Sequence, residues 1–147
     1  MILIKNGIVF KDGQWLEDVD LIVDDGKIVD IVKGDEKVEA EIVDANGGYV
    51  CPGFINLHIH GAEGHDVMDG TEETIRALAK FSAKHGTTSF LPTTVTGSVE
   101  GTRKSLEATK NVMEKGYEGA HILGVHLEGP FIDHEYKGAQ LPQYIQR

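Results

Sequence analysis

The chain has 147 residues, 40% of them hydrophobic and 26% charged, with a formal net charge of -10. That length suffices for one ordinary core, and the acidic balance excludes the clustered lysine and arginine of a nucleic-acid surface. No apolar run reaches the length of a signal peptide or a membrane span, and a single cysteine excludes an intrachain disulfide. A reducing, cytoplasmic setting is the expectation. Cys51, placed before Pro52, is expected to be a small buried residue.

The first fifty residues read as β structure. Ile2, Ile4 and Ile8-Val9-Phe10 suggest one strand, with Lys11-Asp12-Gly13 as its turn. Two β-branched runs, Asp20 to Val23 and Lys27 to Val32, are joined by Asp24-Asp25-Gly26, which predicts a hairpin. A short strand is expected at Glu41-Ile42-Val43. These strands make a small incomplete sheet that needs a second layer.

Beyond Gly47-Gly48 the chain alternates strand and helix. Pro52-Gly53-Phe54-Ile55-Asn56-Leu57-His58-Ile59-His60-Gly61 is an apolar run between turn residues, the pattern of a short buried strand. Side chains at i and i+2 share a face, so His58 and His60 project together, opposite Leu57 and Ile59. Two imidazoles side by side on a rigid strand suit zinc or iron. The bland alternative is a pair of polar strand-end residues, hydrogen-bonded and idle.

A polar loop follows from Ala62 to Gly70, where Asp66 and Asp69 are expected to be solvated or capping. Thr71 to His85 reads as a helix, with Ile75, Leu78, Ala79 and Ser82 at helical spacing and Gly86 as its stop. Thr87 to about Val95 is a second buried strand. Ser98 opens a helix to about Lys115, with Leu106, Thr109, Val112 and Met113 as its apolar face. A third strand spans Ala120 to Glu128 and ends at Gly129-Pro130.

Strand-helix-strand-helix-strand at this spacing implies parallel strands with right-handed crossovers. No glycine-rich phosphate loop follows the first of these strands. What stands at the C-terminal strand ends is His58, His60 and Glu128, an arrangement typical of barrel enzymes. A barrel of that kind takes about 250 residues, so the chain is expected to be the N-terminal part of a larger enzyme. Residues 1–51 would supply strands of a small β domain, and residues 52–147 the first three βα units of the barrel. Glu128 is the candidate carboxylate that completes a metal site, the alternative being a loop-fixing glutamate. His126 shares its face and is a candidate supporting partner. His65, His85, His121 and His134 are isolated, and surface or structural roles are expected for them.

The histidine strand resembles the first barrel strand of the metal-dependent amidohydrolase superfamily. Gly86-Thr87-Thr88-Ser89-Phe90-Leu91-Pro92-Thr93-Thr94, Gly124-Val125-His126-Leu127-Glu128-Gly129-Pro130-Phe131 and Lys137-Gly138-Ala139-Gln140 resemble the N-acetylglucosamine-6-phosphate deacetylases within it. The resemblance implies an α/β fold: a (β/α)8 TIM barrel with a small β-sandwich made by both chain ends. It implies hydrolysis of the acetamide of a sugar phosphate, N-acetylglucosamine 6-phosphate, by metal-activated water, with one or two divalent ions, zinc or iron. Glu128 matches the family's metal-binding, catalytic glutamate. His58 and His60 make a two-metal site plausible, because some members lack the pair. Ala139 and Gln140 match a loop that contacts the sugar, where other members carry histidine in place of Gln140. Asn56 departs from a more usual aspartate, which puts a change beside the metal ligands. The resemblance places a catalytic aspartate and two further histidine ligands on later strands, so the 147 residues alone are expected to be inactive. A homodimer is expected of the whole enzyme. The rivals are a hydrolase of cyclic amides and a non-catalytic metal-binding module.

Overall fold

A computed structural model describes all 147 residues, and it divides into two compact units, Met1–Pro52 and Gly53–Arg147. In the first unit the strands are β1 (Ile2–Lys5), β2 (Ile8–Lys11), β3 (Gln14–Leu16), β4 (Val19–Asp24), β5 (Lys27–Lys33), β6 (Glu41–Asp44) and β7 (Tyr49–Val50). They form a sheet of order β5-β4-β1-β6 and another of order β3-β2-β7.

The single strand expected from Ile2 to Phe10 is two. Asn6 adopts φ 56°, and the left-handed turn at Asn6-Gly7 sends β2 into a different sheet from β1. The β4–β5 hairpin forms where Asp24-Asp25-Gly26 predicts it, with Asp25 and Gly26 both at positive φ. Leu3, Val9, Leu21 and Ile22 are the buried apolar residues of this unit. Cys51 is exposed, against the expectation of burial. It follows the two-residue β7 and lies outside any strand, so no ladder draws it inward.

The second unit is α/β. It contains β8 (Phe54–Ile59), β9 (Gly61–Ala62), β10 (His65–Asp66), α1 (Glu72–Lys84), β11 (Thr87–Thr94), α2 (Val99–Lys115), β12 (His121–Ile122) and β13 (His126–Leu127). β8 and β12 both pair in parallel with β11 at Ser89 and Phe90. A strand has two edges, so they flank it and β11 is central. β13 pairs with β11 further along, at Thr93 and Thr94. The expected third strand is thus interrupted, and Gly124 at φ 151° marks the break.

Both helices begin at the residues the sequence marks. Thr71 accepts the Thr74 N–H at 3.2 Å, and Ser98 accepts the Gly101 N–H at 3.1 Å. The buried face of α1 holds Thr74, Ile75, Leu78, Ala79 and Ser82. That of α2 holds Ser105, Ala108, Thr109 and Val112, whereas Met113 is 43% exposed. The seam of α2 therefore runs one position toward the N-terminus of the expected stripe, and small residues there let the helix approach closely. Phe90, Ile75, Leu78, Val112, Ile122 and Val67 form the centre of the core.

β8 is less buried than its apolar sequence suggests. Phe54, Ile55 and Leu57 are each more than half exposed. β8 hydrogen-bonds only to β11, so its other edge carries no strand.

The polar stretch after β8 is more ordered than a loop. β9 and β10 pair as a short hairpin, and a 3-10 turn spans Val67–Asp69. Asp66 and Asp69 cap that turn reciprocally. The Asp69 carboxyl accepts the Asp66 N–H at 2.9 Å and the Thr74 hydroxyl at 3.0 Å. These bonds, the backbone one foremost, hold its pKa below the ordinary value of 3.8. A depressed carboxyl contributes stability that is present above its ordinary pKa and lost as pH falls through the lower folded value. Melting curves between about pH 2 and 5 should therefore show a flatter acid limb for Asp69→Asn than for the parent.

Candidate metal centre

His58 lies within β8, and His60 immediately follows its last residue, Ile59. The period-two geometry holds to the end of the strand, and both rings lie on one side. Their Nε2 atoms are 3.0 Å apart. Glu128 follows β13 directly. Its Oε2 is 3.1 Å from each of the two Nε2 atoms. The three donor atoms thus form a nearly equilateral triangle.

The three donor atoms of that triangle could hold a cation. His60 Nδ1 lies 3.1 Å from the Thr93 carbonyl oxygen, which can only accept, so Nδ1 carries the proton of the neutral ring. His60 Nε2 then turns a lone pair toward Glu128 and His58. Glu128 Oε2 is buried and receives no hydrogen bond. Ligands at right angles around an ion, with bonds of about 2.1 Å, stand about 3.0 Å apart, and tetrahedral ones about 3.4 Å. The observed separations of 3.0 and 3.1 Å match one face of the right-angled shell. A ring N–H held by a backbone carbonyl is also the usual support of a metal-binding histidine.

The neighbours hold this arrangement in place. Asn56 Oδ1 accepts the His58 backbone N–H at 3.0 Å. The His126 ring meets His58 edge to face at 4.9 Å, and its Nδ1 lies 3.4 Å from Thr93 Oγ1. Thr93 Oγ1 also accepts the Ile59 N–H at 3.0 Å and donates to the Leu91 carbonyl at 3.1 Å. Thr93 is fully buried and ties β8, His60 and His126 to the central strand. Sequence reasoning missed it, and a hydroxyl in an apolar strand beside the histidine strand is the signal that could have found it.

Gln140 and Ala139 line a cavity of about 500 Å³ with His60, Glu128 and Lys137. Gln140 reaches Glu128 itself, its Nε2 donating to Oε1 at 2.6 Å. Gly129, between Glu128 and Pro130, adopts φ 82°, and a Cβ there would stand 1.9 Å from Thr96 Oγ1. Only glycine lets the chain after Glu128 pass so close to Thr96.

The remaining histidines lie away from the triangle. His65 Nδ1 is 3.3 Å from Thr74 Oγ1, the His85 ring packs on Phe81, and His121 and His134 are exposed. A larger cleft, about 850 Å³, lies in the first unit, where the buried Asp20 pairs with Lys5 at 3.3 Å. It gathers no comparable donor set. No helix of the chain is long and apolar enough to cross a membrane.

Known proteins share this fold and sequence. The chain is 35% identical over 132 residues to N-acetylgalactosamine-6-phosphate deacetylase of Escherichia coli O157:H7, covering 90% of this chain and 34% of that one. It is 33% identical over 144 residues to N-acetylglucosamine-6-phosphate deacetylase of Lysinibacillus sphaericus, covering 98% and 37%. The crystal structure of N-acetylglucosamine-6-phosphate deacetylase from Pasteurella multocida superposes with a TM-score of 0.88 at 29% identity, over 98% of this chain and 38% of that one. The chain thus spans little more than a third of the length of these relatives. Residues 49–145, which hold the whole donor triangle and the Gln140 loop, match the amidohydrolase family, and the chain belongs to that family.

Proposed function

We propose that this chain is the N-terminal part of a metal-dependent deacetylase that hydrolyses N-acetylglucosamine 6-phosphate to glucosamine 6-phosphate and acetate. In this reading the second unit supplies the first three βα units of a (β/α)8 barrel, and the first unit supplies strands of a small β-sandwich. The observation that carries it is the triangle of His58 Nε2, His60 Nε2 and Glu128 Oε2, two of whose residues, His60 and Glu128, line one cavity with Ala139 and Gln140.

His58, His60 and Glu128 would hold one or two divalent ions, zinc or iron. A bound ion would supply a water acidic enough to ionise near neutral pH and would polarise the acetamide carbonyl. The Thr93 carbonyl keeps His60 Nε2 free for coordination, and Asn56 and His126 brace His58. Ala139, Gln140 and Lys137 border the space for the sugar, with Lys137 the one cation among the cavity's lining residues. The proton for the departing amine would come from residues outside these 147. A homodimer is the expected assembly.

The relative from Escherichia coli O157:H7 favours a second reading, the galactosamine epimer as substrate. The test is acetate release by the full-length polypeptide from N-acetylglucosamine 6-phosphate, its galactosamine epimer and a cyclic amide. Release from the first, lost on chelation and restored by zinc or iron, is the expected result. Residues 1–147 alone should release none. Turnover of the cyclic amide only, or release untouched by chelation, would overturn the assignment.

A further inference from the structure

We infer that Gln140 is a positioning residue for the metal site: it donates to Oε1 of Glu128 and so fixes the carboxylate with Oε2 turned toward His58 and His60. The inference rests on the metal reading above and concerns what Gln140 does within it. The orientation of the Gln140 amide is fixed by its partners. Its Oε1 accepts the backbone N–H of Thr96 at 2.7 Å, and a backbone N–H can only donate. The amide oxygen therefore faces Thr96, and the NH2 group is left to donate to Glu128 Oε1. Exchanging the two atoms would set donor against donor at Thr96.

Thr96 is itself anchored. It is buried two residues beyond the end of β11, and its hydroxyl donates to the Glu128 carbonyl at 3.3 Å. Gln140 thus spans two fixed points, the backbone at Thr96 and the carboxylate of Glu128. The bond to Oε1 fixes the rotation of the Glu128 carboxylate and takes up one of that oxygen's lone pairs. Oε2, which receives no hydrogen bond, is the oxygen that faces His58 and His60. Because Gln140 also lines the cavity beside Ala139, the sugar-facing loop and the metal ligand share a hydrogen bond.

The experiment uses the full-length polypeptide and its Gln140→Met and Gln140→His variants. Zinc affinity is measured by competition with a chromophoric chelator, and cobalt is substituted to read ligand geometry from its visible absorption. Methionine fills the space without a donor, and should weaken zinc binding about 10- to 100-fold and shift the cobalt spectrum, the usual scale for losing a partner of a metal ligand. Histidine keeps an N–H donor and should restore both readings toward the parent. Gln140→Ala removes the same donor and gives the same reading should the methionine variant misfold.

Parental affinity and spectrum in Gln140→Met, with only a raised KM, would overturn the inference and leave Gln140 a substrate contact. Equal losses in the methionine and histidine variants would also overturn it, since the donor would then not be the cause. A parent protein that binds no zinc would sink the metal reading itself, an outcome distinct from either.

Discussion

Glu128→Gln should remove the metal and the hydrolysis together. The substitution keeps the shape of the side chain but turns one of its two acceptors into a donor. If the new amide oxygen stays on Gln140, its NH2 faces His60 Nε2 and the cation position, where it cannot coordinate. If it flips, its NH2 meets the Gln140 NH2 at what is now a 2.6 Å contact. Either way a negative charge is lost where three donor atoms converge. Changes to the partners of metal ligands cost about 10- to 100-fold in affinity, so the loss of this ligand should exceed 100-fold. Hydrolysis should fall at least as far, since the attacking water depends on the ion. Metal content after dialysis, together with acetate release from N-acetylglucosamine 6-phosphate, checks it in the full-length polypeptide. Retained metal with lost turnover would make Glu128 a proton carrier and not a ligand.

Phe90→Ala should give the largest loss of stability. Phe90 is fully buried in the central strand, among Ile75, Leu78, Val112 and Ile122. Neighbouring strands on both edges and two helices confine it, so the cavity left by alanine could collapse only in part. Truncations of this kind cost about 3–5 kcal/mol. The loss would be read as a lowered denaturation midpoint at unchanged slope. Leu57→Ala, at a position 59% exposed on β8, should cost far less in the same 147 residues. Equal losses at the two positions would mean that the core is not centred on β11.

Local chemistry made much of this legible from sequence. Strand periodicity is a property of neighbouring residues, so placing His58 and His60 on one face needed no knowledge of the rest of the chain. The same holds for Thr71 and Ser98 as helix caps, and for the hairpin at Asp24-Asp25-Gly26, where short-range hydrogen bonds and positive φ decide the outcome. The order of strands and helices followed from spacing and chain handedness.

Tertiary structure decided what crosses the sheet. Glu128 reaches the histidine pair because β8 and the interrupted β12–β13 run both lie along β11, a relation no local period encodes. Thr93 became the hub of the site for the same reason, as the central strand's residue that lies opposite His126 and whose carbonyl meets His60. The bond from Gln140 to Glu128 depends on how a loop folds back, and the sequence offered only the family's sugar-contact motif there. Burial was the other quantity out of reach. The apolar run of β8 reads as a buried strand, and Cys51 as a core residue, because composition reports what a residue can bury against. Whether a neighbour is present to cover it is settled only by the assembled chain.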